Sequence, residues 1–243
     1  SSFKGAMRSR MESFLRGILG NDPKLVANPA NEDEWSIPPK QMTEFKREIA
    51  TLDPKPKEDK LHKFITDNTD WVSSLFGSPW LSSKFQVRDL TVYNPEETWF
   101  DQYQERDGVA IDRDTETAAD SKLYDFQVVP AGTPFEFKAI VENAKDWELG
   151  LLMIGLHQFE TEQIPLGGGK SRGLGVVKLQ LDEVIWVNPS NPQGLITYLQ
   201  NLVRNELQTY IKTPQEIETL KRTWSTALIN QLNQEVMAEK THA

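Results

Sequence analysis

Twelve consecutive residues of this 243-residue chain, Ile164 to Gly175, hold five glycines together with Lys170, Ser171 and Arg172. Glycine reaches φ > 0 and leaves backbone N–H groups uncovered, so a chain rich in it can press those donors against an anion. Lys170 and Arg172 add cationic donors suited to phosphate. The chemistry is that of a polyanion cradled by a loop, with Gly167, Gly168, Gly169, Lys170, Ser171 and Arg172 as candidate binding residues. Neither common nucleotide motif fits. A P-loop needs a glycine where Ile164 stands and opens a helix, whereas Val176 to Val187 reads as a strand. The dinucleotide pattern fails because Arg172 occupies the place of its third glycine. The plainer alternative is a glycine-rich turn between a helix and a strand.

A second basic island lies at the start. Residues 1–20 carry Lys4, Arg8, Arg10 and Arg16 against the single acid Glu12, in a chain of net charge -9. Ser2 suits an N-cap, and Phe3, Met7, Met11, Phe14, Leu15, Ile18 and Leu19 recur at helical spacing up to the stop at Gly20-Asn21-Asp22-Pro23. Ser1, Ser2, Lys4 and Arg8 then fall on the first turns, where the helix dipole and free N–H groups favour an anion. An ordinary amphipathic surface helix would show the same pattern. Two basic islands on an acidic protein suit a focused anion groove.

Catalytic chemistry is harder to place. Only His62, His157 and His242 are present, and no paired-histidine spacing supports a metal site. His157 falls in an apolar helix and reads as a packed residue. Gly-x-Ser-x-Gly is absent, and Asp107, Asp112, Asp114 and Asp120 match no calcium loop. No catalytic residue, no metal ligand and no cofactor is assigned to this chain. With no cysteine, disulfides and thiolate chemistry are excluded, which suits a reducing cytoplasm. No apolar run reaches the length of a membrane span, so no membrane partner is expected.

The elements that must position these residues follow from periodicity. Asn21 to Lys60 is polar and proline-rich, with a helix near Lys40 to Thr51, and Leu61 to Leu75 reads as another. Ser83 to Tyr93 and Phe135 to Glu142 alternate as strands. Arg106 to Val129 has the form of a long hairpin around the polar tip Asp114 to Lys122. Trp147 to Thr161 is a core helix that delivers the chain to the glycine loop. Leu195 to Tyr210 is amphipathic, and a last helix runs from about Gln215 to Glu239.

Four motifs occur in order: Ser1-Ser2-Phe3-Lys4-Gly5-x-x-Arg8; Leu75-Phe76-Gly77-Ser78; Arg106-x-x-Val109-x-Ile111-Asp112-Arg113 with Phe126-x-Val128-Val129-Pro130-Ala131-Gly132-Thr133; and Gly167 to Gly175. Together they resemble the RAMP superfamily, specifically the backbone subunits of type III CRISPR effector complexes, over roughly residues 1–187. The resemblance implies an α+β fold: a ferredoxin-like, RRM-type palm with a helical insertion (about 21–75), a thumb hairpin (about 106–129) and a C-terminal helical extension (188–243). It implies a guide-RNA-binding subunit of an antiviral ribonucleoprotein that stacks with other RAMP subunits. Val109, Ile111, Asp112 and Arg113 would belong to a thumb inserted between guide and complementary target RNA, displacing one base pair in six. Any divalent metal would serve target cleavage by the complex.

The family's first strand and target-cleaving Asp precede the Ser-Ser-x-Lys-Gly motif, and the sequence given begins at that motif. The Asp is therefore carried onto no residue, and a partner segment is expected along the palm sheet. Two other functions stay open: a guide-processing endoribonuclease of the same superfamily, for which His157 is the only histidine near the glycine loop, and a purely structural subunit.

Overall fold

The computed structural model describes residues 2–99, 103–111 and 118–242, with residues 107–111, 118–124 and 239–242 described by backbone alone. It is a mixed α+β structure. Helix α1 (Phe3–Leu19) begins where Ser2 accepts a hydrogen bond from the Gly5 N–H at 3.0 Å. It ends at Gly20, whose N–H bonds the Arg16 carbonyl. Its buried apolar side is Phe3, Met7, Met11, Leu15 and Leu19, a spacing of four throughout. Phe14 and Ile18, which share the helical period, stay exposed.

The insertion is more helical than its prolines suggested. Helix α2 (Pro39–Glu48) and helix α3 (Pro54–Asn68) each open with a proline in the first turn, where a missing N–H costs nothing. Phe45 and Phe64 stack between them at 3.9 Å. The single helix expected over Leu61 to Leu75 is in fact two. The chain breaks at Asp70, whose Oδ1 accepts from the N–H groups of Val72 and Ser73 and starts helix α4 (Trp71–Phe76). A capping carboxylate held by two amides outweighs a continuous apolar period here.

The expected strands are also shorter than their alternation. Ser83 to Tyr93 yields β1 (Phe85–Val87) and β2 (Thr91–Val92), with the short helix α5 (Pro95–Thr98) beyond; Phe135 to Glu142 yields β5 (Phe135–Glu136) and β6 (Ala139–Val141). Between them, β3 (Gln104–Ile111) and β4 (Ala118–Val128) form the antiparallel hairpin, in register from Gln104↔Val128 to Val109↔Leu123 and then shifted to Ile111↔Ala118. Residues 118–122, expected in the polar tip, therefore belong to β4. Among the described residues the pairs are β1–β6, β2–β5 and β3–β4, each two-stranded.

Helix α6 (Asp146–Glu160) buries ten of its fifteen residues, as a helix packed on several sides must. It contacts α1, α4 and α8 (Pro214–His242). It lies against α8 at Gly150, where an added Cβ would lie 2.2 Å from the Trp224 carbonyl oxygen. Helix α7 (Pro192–Val203) precedes α8, and the rest of the amphipathic stretch forms a single tight turn, Gln208–Tyr210. The expected strand 176–187 alternates in exposure from 176 to 181, but among the described residues it forms no ladder; one bridge joins Ile185 to Ile211. Period-two patterning places side chains on faces and leaves open whether a neighbour pairs with the backbone.

The chain divides into two compact units, residues 1–85 with 141–243, and residues 86–140. Compactness thus sets the hairpin segment apart, while 188–243 joins the helical body.

Candidate nucleic-acid interface

Helix α1 carries Lys4 and Arg8 one turn apart. The Arg8 guanidinium donates from Nε to Glu12 at 2.8 Å, from one terminal nitrogen to the Gly77 carbonyl at 2.9 Å, and from the other to Ser73 Oγ at 3.1 Å. Lys4 Nζ donates to Ser83 Oγ at 2.6 Å. Burial first, and the neighbouring Arg8 cation second, hold the Lys4 ammonium below the usual lysine value. The first two sequence motifs therefore meet: the Lys-Gly-x-x-Arg helix is joined to the Leu-Phe-Gly-Ser turn by three-pronged Arg8. Arg8 spends its donors within the protein, which its place in a basic island did not foretell. Ser2 caps the helix, and Ser1 lies outside the described residues.

The glycine loop is closed by backbone. Leu166 N–H bonds the Gly175 carbonyl at 2.8 Å, and Leu174 N–H bonds Gly169 at 3.2 Å. Lys170, Ser171 and Arg172 form one tight turn on its outside, all three exposed. Gly175 is indispensable to this closure, because its φ is +80° and a Cβ there would lie 1.9 Å from the Leu166 carbonyl oxygen. Phe159 links the two basic islands. Its ring stacks on Phe3 at 4.1 Å, and its carbonyl accepts the Leu179 N–H just beyond the loop at 3.0 Å.

His157 is exposed, not packed as expected, because it falls on the outer side of the last turn of α6. Its Nδ1 lies 2.9 Å from Glu160, which also accepts from Lys221 of α8 at 2.9 Å. Among the described residues no three His, Asp or Glu side chains stand close enough to hold a metal ion. Within the hairpin, Val109 and Ile111 lie on β3, while Asp112 and Arg113 fall outside the described residues.

A family model described as RAMP superfamily matches residues 1–178. The chain belongs to the RAMP superfamily. A search of curated proteins finds no match. Membership in this superfamily points to CRISPR-associated RNA binding in complexes with other subunits. Among the described residues no helix of this RAMP chain is long and apolar enough to cross a membrane.

Two features of the RAMP chain escaped the sequence. Lys84 Nζ donates to both Glu148 carboxylate oxygens at 2.7 and 2.6 Å, fixing the start of α6 to the segment entering β1. A cavity of about 380 Å3 opens beside Arg8, between the insertion and the turn after α4. The aromatic side chains of Phe76-Gly77-Ser78-Pro79-Trp80 were its one visible sign.

Proposed function

We propose that this chain is a guide-RNA-binding backbone subunit of a type III CRISPR ribonucleoprotein, holding the guide through its phosphates and presenting the β3–β4 hairpin as a thumb between guide and target RNA. The observation that carries the reading is the glycine loop, which exposes Lys170, Ser171 and Arg172 on one turn within the span of the family match. The proposal includes a ferredoxin-like palm. The order α1, β1, β6, α6 and then the stretch 176–181, alternating in exposure, supports it, as does the packing of α1 on α6. Guide and target RNA and neighbouring RAMP subunits are its proposed partners.

Contacts to phosphate release counterions, so affinity falls with salt in proportion to the number of contacts, by roughly 0.7 in log–log slope per contact on a single strand. The test is the salt dependence of single-stranded RNA binding by the whole chain, measured by fluorescence anisotropy. Lys170→Ala and Arg172→Ala are each expected to lower the slope by about that amount, with little dependence on base sequence. Unchanged slopes in both variants would show that the loop does not contact RNA. Cuts recurring every six nucleotides in target RNA given to the assembled complex would support its membership of a cleaving assembly.

A further inference from the structure

In the cavity beside Arg8, aromatic rings, serine hydroxyls and a guanidinium share one lining. Trp35 from the insertion and Trp80 from the turn after α4 both line it. Their indole N–H groups are already committed, Trp35 to the Pro29 carbonyl at 3.3 Å and Trp80 to the Ile37 carbonyl at 2.8 Å. What they offer a ligand is therefore ring surface held in place beforehand. Lys46 sits 5.4 Å over the Trp80 ring. Ser36 and Ser82 also line the cavity, and their hydroxyls make no hydrogen bond among the described residues. Hydroxyls donate or accept as required, which suits the mixed edge of a base without fixing its identity.

Charge narrows the class of ligand. Among the described residues that line the cavity Arg8 is the only charged one, its guanidinium paired with Glu12 at 2.8 Å, and no carboxylate faces a ligand there. Lys4 stands at its edge, on Ser83. An adjoining cavity that shares Arg8 and Pro29 is lined by Glu12 and Glu34 as well as Arg16, so carboxylates do face a ligand there. A volume of about 380 Å3 falls within the roughly 300–1,000 Å3 of small-molecule pockets and admits one planar heterocycle.

We propose that this pocket takes one unstacked nucleobase of the bound RNA strand, between the Trp35 and Trp80 side chains. The inference rests on the RNA-binding function proposed above. It adds a contact that is read through the base and not through phosphate, and that is therefore independent of salt. Base–aromatic stacking tolerates any base, in keeping with a subunit that must accept guides of any sequence.

The test crosses two RNAs with two proteins, each protein being the full chain. One RNA is a short single strand; the other has the same ribose-phosphate backbone without bases. Wild-type protein is expected to bind the intact strand roughly 10-fold more tightly, within the range of base–aromatic stacking. Trp35→Ala is expected to weaken binding of the intact strand by several-fold, to narrow the difference between the two RNAs by the same factor, and to leave the salt slope unchanged. Trp35→Phe should restore most of the loss. Equal affinity of wild-type protein for both RNAs, with the salt slope present, would overturn the pocket and leave the phosphate clamp standing. So would an equal loss for both RNAs in Trp35→Ala, since that would make the indole a structural prop. Absence of RNA binding by wild-type protein at low salt would overturn the phosphate clamp as well.

Discussion

Arg8 shows how a residue selected for its charge can serve the fold. Its three donors bind a carboxylate, a carbonyl and a hydroxyl, and Glu12, its carboxylate partner, is only 7% exposed. Removing the guanidinium leaves that carboxylate with Arg16 at 3.7 Å and strands the Gly77 carbonyl. Arg8→Ala is expected to cost about 2 kcal/mol in urea unfolding. Arg8→Lys should recover less than half of it, because an ammonium lacks the planar fork. The types and spacing of Lys4 and Arg8 were legible in the sequence. Their partners were not, since Ser73, Gly77 and Ser83 become neighbours only when α4 packs against α1. The same holds for Lys84 and Glu148, 64 residues apart, whose bidentate contact follows no local periodicity.

At the scale of elements, helices were recovered better than strands. A helix satisfies its own backbone, so local spacing suffices to define α1, α6 and α8, with the Ser2 cap marking the start of α1. A strand needs a neighbour, and the alternation of 176–187 could not say whether one lay within reach. Packing between helices adds constraints of its own, as two glycines show. Gly17 lies on α1 with nothing within 4 Å of an added Cβ, whereas Gly150 faces the Trp224 carbonyl at 2.2 Å. Gly17→Ala is expected to stabilise by about 0.5–1 kcal/mol through helix propensity. Gly150→Ala should destabilise by about 1–3 kcal/mol and speed amide hydrogen exchange along α8 more than along α1. Equal exchange in the two helices of Gly150→Ala would show that α8 is not seated through this contact.

For the whole molecule, the C-terminal helix belongs to the helical body, and part of its attachment depends on pH. Burial alone would raise the Glu160 pKa, but the hydrogen bonds from Lys221 and His157 and their charges outweigh it and hold the carboxyl below its ordinary value. A carboxyl whose folded pKa is depressed contributes its stability above the unfolded value and loses it as pH falls through the folded one. The Lys221–Glu160 link between α8 and α6 is therefore expected to hold at neutral pH and to weaken only in acid, below the usual carboxylate range. Urea midpoints followed into that range should fall less steeply for Glu160→Gln than for the native chain. An identical acid slope would show that this link does not set the acid stability.

The sequence by itself determined the two basic islands, the helical periods, the hairpin arms and the ordered motifs that mark the superfamily, because each is a local pattern of side-chain type and spacing. Tertiary structure alone decided which of those charges face solvent and which are spent inside. Arg8 turned inward to Gly77 while Lys170 and Arg172 stayed exposed, and no spacing rule separates the two. It also decided that the insertion's Trp35 and the turn's Trp80 line one cavity. Contacts between residues so far apart in the chain depend on how helices pack, and packing is a property of three-dimensional volume that a one-dimensional pattern does not carry.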